Sequence, residues 1–206
     1  MMFHRSIGWH KPSRSAVLPI AAAFLLVLGG CVVVVEESLT LSGSPGIDDR
    51  LVGTWSMEKA GESGSPPDQV FINAIDQDGM AAVVVDRGTL NVAYYRFWTT
   101  TIDAQGWMSI EAIAAIEDGK TEQAPGAMKG RYLPGRYDVA GDGRSFTLRM
   151  VRQEHVKDVA KSGRLQVRRE DDDTVVVSSR DDLRRVFAGF PAAAFGKPII
   201  FRRNGN

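Results

Sequence analysis

The apolar positions of this chain fall into three regimes. Ala16 to Leu28 (AVLPIAAAFLLVL) is apolar for thirteen residues without a break. From Leu51 onward the apolar residues come in short runs rich in β-branched and aromatic side chains. Gly, Asp and Pro close these runs off at intervals of about eight to twelve residues, as in a series of antiparallel strands. From Ser179 to Phe187 the spacing becomes helical, with Leu183, Val186 and Phe187 on one face.

The second regime predicts strands over Leu51–Lys59, Gln69–Ile75, Met80–Val85, Leu90–Thr101, Trp107–Ile116, Arg131–Ala140 and Ser145–Val151. Short strands follow at Leu165–Arg169 and Thr174–Ser178, and a closing strand at Lys197–Arg203. Turns are expected at Asp76–Gly79, Asp86–Gly88, Gln105-Gly106 and Gly141–Gly143, where Asp-Gly in particular accepts the positive φ of a tight hairpin. Glu117 to Lys129 reads as a loop, and His155 to Ser162 as one or two helical turns. Ser179 with Asp182 three residues later forms a capping pattern, and Gly189 and Pro191 end that helix. No long helical period separates the strands. The fold class is therefore all-β, an antiparallel barrel or strongly curved sheet with one short C-terminal helix.

Met1 to Ser15 carries His4, Arg5, Lys11 and Arg14 and no acid. A basic segment, an apolar core and small residues at its end describe a secretory signal. Val32 to Arg50 (VVVVEESLTLSGSPGIDDR) reads as a flexible tether, because Ser, Gly and Pro cluster at Ser42–Gly46 and no helical period appears. The chain thus divides into a signal peptide (1–30), a tether (31–50) and a β domain (51–203). A second reading of the N-terminus stands beside this one. Ser15 to Val35 holds 21 residues without a charge, and roughly 18 or more can span a bilayer as an uncleaved anchor. Pro19 and the Gly29-Gly30 pair weaken that stretch as a helix.

Leu28-Gly29-Gly30-Cys31 resembles a bacterial lipobox, in which the signal is cut between the residues corresponding to Gly30 and Cys31. The resemblance implies a diacylglycerol thioether and an acylated amino group on Cys31, with palmitate as a typical acyl chain. Two buried chains anchor stably at about 0.8 kcal/mol per methylene. It also implies a place in the bacterial cell envelope. Val32 rather than Asp follows the cysteine, which by the same resemblance points to the outer membrane facing the periplasm. Gly53-Thr54-Trp55 resembles the Gly-x-Trp that opens lipocalin-like barrels. In those barrels an Arg near the last strand covers the Trp, and Arg202 or Arg203 would fill that role. The chain is most similar to uncharacterised bacterial lipoproteins with one such domain, through Leu51–Trp55, Asp182-Leu183-Arg184 and Phe201-Arg202. No second cysteine is present for a barrel staple.

Composition narrows the function. From Cys31 to Asn206 there are 22 basic and 25 acidic residues, so no concentrated positive face recommends nucleic acid. His155 is the only histidine beyond the signal, and it lacks partners for a triad or a metal shell. Asp76–Gly79 lacks the later ligands of a calcium loop, Glu170–Asp173 reads as a solvated acidic turn, and Gly61-Glu62-Ser63-Gly64 misses the spacing of a nucleophile elbow. Glu111, in an apolar strand, is expected to face solvent.

The aromatic concentration is Tyr94, Tyr95, Phe97, Trp98 and Trp107. Alternation puts Tyr94 with Trp98 on one side of a strand and Tyr95 with Phe97 on the other, one set in the core and the other available for binding. The expectation is a non-enzymatic envelope interaction or accessory protein, with no cofactor and no metal. Its partners would be the membrane and either an envelope protein or an apolar small molecule. The alternatives are a carrier or sensor of a small apolar ligand and a hydrolase with an unrecognised site.

Overall fold

The computed structural model of the protein describes residues 33–41, 46–58, 67–76, 79–124, 128–170 and 173–205. Its strands are β1 (Val33–Val35), β2 (Gly53–Glu58), β3 (Asp68–Asp76), β4 (Gly79–Val85), β5 (Val92–Ile102), β6 (Gln105–Glu117), β7 (Lys120–Gln123), β8 (Leu133–Val139), β9 (Ser145–Met150), β10 (Val167–Glu170), β11 (Asp173–Val176) and β12 (Ile199–Arg203). Two helices, α1 (Gln153–Lys161) and α2 (Arg180–Ala188), lie between β9 and β12.

Eight strands close an antiparallel barrel in the order β2-β3-β4-β5-β6-β8-β9-β12, with β12 returning to β2. Closure leaves no barrel edge unpaired. Alternation sorts the side chains. Val70, Ile72, Met80, Ala82, Phe97, Met108, Phe146, Leu148 and Phe201 fill the interior with Leu51, Trp55, Met57 and Tyr137. Their immediate neighbours along each strand face outward.

The β5–β6 hairpin turns at Asp103-Ala104, where φ is 50° and 59°. Two consecutive positive φ angles make the primed turn that matches strand twist. The turn therefore falls two residues before the expected Gln105-Gly106, which is already strand. Asp118-Gly119 makes a second such turn at φ 49° and 75° and delivers β7 inside the expected loop. Its Lys-Thr-Glu-Gln sequence has no apolar face to betray a strand.

A second layer covers the outside of the barrel. β10 and β11 form a hairpin, and β1 joins β11 in parallel with Val33 opposite Thr174 and Val35 opposite Val176. Val35 also exchanges both backbone hydrogen bonds with Tyr132, at 2.8 and 2.9 Å. A separate core forms between this layer and the barrel wall, from Trp107 and Ile102 on the wall, Val156 and Val159 of α1, Leu183, Val186 and Phe187 of α2, and Phe190 and Phe195.

The tether expected over 31–50 is corrected here for its described residues. Val33, Val34 and Val35 are 2%, 1% and 0% exposed. Leu39 is equally buried; its N–H donates to Ser109 Oγ at 2.9 Å and its carbonyl accepts from Arg184 Nη1 at 2.7 Å. Arg180 Nε donates to the Ser38 carbonyl at 2.8 Å. Gly46 joins the far end of β5 by accepting from Thr99 N–H at 2.8 Å. A run of valines is also the mark of a strand covered on both faces. Directly after another apolar segment, the same run reads as that segment's continuation.

Candidate functional site: the barrel interior

One end of the barrel is shut. Trp55, fully buried, donates its indole N–H to the Leu51 carbonyl at 2.8 Å. Arg203 lies over its ring at 4.2 Å, a cation–π contact. The same guanidinium donates to the carbonyls of Val52 (2.9 Å), Arg50 (2.7 Å) and Gly143 (3.0 Å). Gly53 makes room for it: at φ 142° a side chain is strained, and a Cβ would sit 2.6 Å from Arg203 Nη1. Arg202, the other candidate for this role, points outward and donates to Glu58 Oε1 at 2.8 Å.

Asp48 accepts from the Tyr137 hydroxyl at 2.8 Å and from Arg50 Nη2 at 2.7 Å. Burial works to raise its pKa, but the hydrogen bonds from Arg50 and Tyr137 outweigh it and hold the carboxyl below its ordinary value. Burial, with Asp48 adding to it, pushes the Tyr137 phenol up. The lid is thus a locked polar cluster over a packed apolar floor, where Phe146 meets Trp55 edge-on at 4.8 Å and stacks on Phe201 at 4.1 Å.

Above that floor lies a cavity of about 80 Å³, walled by Met57, Ile72, Val84, Tyr95, Ile110 and Phe201 among others. Among the described wall residues Tyr95 alone carries a side-chain oxygen or nitrogen, and burial pushes its phenol up to about 12. Sites for small molecules run to roughly 300–1,000 Å³. A cavity of about 80 Å³ holds only the end of a hydrocarbon chain, so side chains fill most of the interior.

The five aromatic residues do not form one site. Tyr95 and Phe97 point inward and wall the cavity. Tyr94 and Trp98 point outward and are half-buried; Trp98 meets Tyr132 edge-on at 5.5 Å and has Arg96 over its ring at 4.8 Å. Trp107, expected as a binding aromatic, is 0% exposed. It stacks on Phe187 at 5.2 Å and touches Phe195 at 5.7 Å in the second core. Its position between a barrel wall and a helix that joins the chain 73 residues later leaves no local sequence signal.

Glu111 faces outward as expected, beside Arg96 on the neighbouring strand, and accepts from Gly130 N–H at 3.1 Å. His155 packs edge-on against Phe190 at 4.7 Å. Among the described residues no group of three or more His, Cys, Asp and Glu gathers to hold a metal. Gly30, Cys31, the Gly61–Gly64 segment, and the middle residues of the Asp76–Gly79 and Glu170–Asp173 turns lie outside the described residues.

The residues that fasten the second layer are ones sequence reasoning did not single out for a role. Ser109, Arg180 and Arg184 hold the N-terminal segment. Arg131 donates to Glu170 at 2.6 Å and Arg168 to Glu36 at 2.7 Å, joining β1 to the β10 edge. Arg131 first and then Arg168 hold the Glu170 carboxyl below its ordinary pKa.

The fold and its lid define a closed, antiparallel, lipocalin-like barrel with a filled interior. Compared with known proteins, the chain matches no family model, no curated protein and no solved structure.

Proposed function

We propose that this is an exported lipoprotein, anchored through Cys31 in the bacterial envelope and acting there as an interaction or accessory protein. The observation that carries the non-carrier part is the filled interior. A cavity of about 80 Å³ falls well short of the roughly 300 Å³ at which binding pockets begin. For the anchor, the support is the burial of Val33–Val35 in the domain. It leaves Ser15–Val32, eighteen uncharged residues interrupted by Pro19 and Gly29-Gly30, for a spanning helix. That is at the short end of the range of about 17–25, which favours a cleaved signal and a lipid. Among the described residues no helix is long and apolar enough to cross a membrane. The outer membrane, facing the periplasm, is the location that Val32 after the cysteine favours.

The test is mass spectrometry of the protein extracted from its host membrane. The expected result is a diacylglyceryl and acyl adduct on Cys31 and no apolar small molecule retained by the barrel. A retained molecule, displaced when Ala82→Leu narrows the cavity, would establish the carrier instead.

A further inference from the structure

The rigid body of this protein begins almost at its anchor. Val33 is only 2% exposed and is already paired with Thr174 of β11. Two residues of backbone reach at most about 7 Å, so Cys31 lies no farther than that from Val33. No spacer remains to lift the domain off the bilayer, because residues 33–41, read as part of a tether, are fastened by β11, Tyr132, Ser109, Arg180 and Arg184.

We infer that the end of the second layer where β1 begins, bordered by the exposed β10 edge, lies directly against the lipid surface and fixes the orientation of the barrel, whose opposite wall then faces away from the membrane. The inference rests on membrane attachment at or just before Cys31. It holds for a lipidated cysteine and for an uncleaved anchor alike, since both end at the same point of the chain.

Geometry selects the residues that report it. Arg169, exposed on β10, stands in the same row as Thr174 and Val33, two strand spacings or about 10 Å from Val33. Asn73, exposed on the outside of β3, is on the strand four places from β8 in either direction round the barrel. The second layer and the full barrel width separate it from β1. Charge supplies no rival cause. The segments 33–41 and Arg152–Asp173 together hold six basic and eight acidic residues, so this side offers no net electrostatic attraction to anionic headgroups.

The experiment uses the full chain, exported in its host and purified in detergent. Arg169→Cys and Asn73→Cys each add one thiol beside Cys31, the only native cysteine. Each thiol is labelled with a fluorophore and the protein is reconstituted into phosphatidylcholine vesicles carrying nitroxide headgroups. Quenching at position 169 is expected to be several-fold stronger than at 73. A ten-residue Gly/Ser insertion before Val33, spanning about 17 Å, is expected to remove most of the difference.

Equal quenching at both positions, in protein whose intact mass shows an acylated Cys31, would overturn the orientation and leave the lipid standing. An unchanged difference after the insertion would overturn the short connection as its cause. If the mass shows free Cys31, the lipidation reading fails separately. The same two positions in a membrane-bound Cys31→Ser background then decide the orientation on an uncleaved anchor.

Discussion

Two tryptophans, both fully buried, offer a controlled comparison, because among the described residues one has a partner for its indole N–H and the other has none. Trp55 donates to the Leu51 carbonyl at 2.8 Å. Trp107 Nε1 is buried in the second core with no hydrogen-bond partner among the described residues. Replacing either by Phe removes part of a ring from a packed core, a loss of about 1–3 kcal/mol. At Trp55 the change also strands a buried carbonyl, adding about 1–3 kcal/mol. At Trp107 it removes a donor whose desolvation is uncompensated, returning about 1–3 kcal/mol. Trp55→Phe should therefore cost about 2–6 kcal/mol, centred near 4, and Trp107→Phe between about −2 and 2 kcal/mol, centred near zero.

Urea unfolding followed by far-UV circular dichroism measures both without relying on the altered fluorophore. With a slope of about 2 kcal/mol/M, the two variants' midpoints should differ by roughly 2 M. A Trp107→Phe variant destabilised as much as Trp55→Phe would refute the reasoning, since the ring loss would then outweigh the hydrogen-bond asymmetry.

Gly53→Ala should cost about 2–4 kcal/mol, from backbone strain and displacement of Arg203 off Trp55; a thermal melt checks it, and a shift under about a degree would contradict it. Asp48→Asn tests the locked lid by pH. The folded Asp48 pKa is depressed, so its stabilisation is full above the unfolded value near 4 and is lost as pH falls through the lower folded value. The wild type's loss of stability below about pH 4 should therefore flatten in the variant, as read from urea midpoints on either side of that pH. Val34→Asp places a carboxylate among Leu133, Ile110, Met128 and Met150 and should cost about 3–5 kcal/mol as an unpaired buried charge; hydrogen exchange over residues 33–41 and 173–176 should rise with it, and an unchanged midpoint would mean that this segment is not part of the folded body.

Period two made the barrel legible. Phe146, Leu148 and the runs in β3 to β6 declared their inward face, and the Ser179 cap with Leu183, Val186 and Phe187 declared α2, whose N-cap oxygen accepts from Asp182 N–H. The lid was half legible. Gly53-Thr54-Trp55 is a local motif, but the choice between Arg202 and Arg203 depends on the register of β12 with β2, which pairs Trp55 with Arg203. One residue of slip would exchange their faces. The second layer was hidden for a different reason. Its parts come from residues 33–41 and 151–198, and neither half can bury its apolar side chains alone. Only the assembled pair shows why Trp107 on an outer wall needs no solvent and why Arg184 reaches back to Leu39.

The ambiguity of Val32–Val35 is physical rather than a failure of pattern reading. A membrane helix and a strand covered on both faces make the same demand on composition, unbroken apolar side chains, and they differ in what satisfies the backbone. A helix bonds to itself, whereas a strand must find partners elsewhere in the chain. Those partners are Thr174–Val176 and Tyr132, some hundred residues or more away, where no window around Cys31 could reveal them. With those partners in place, the run belongs to the folded domain from Val33 onward. Val33 itself opens the first strand of the domain. Were Cys31 to carry the proposed lipid, Val32 alone would lie between it and β1, and the place where β1 enters the second layer would set how the barrel is held.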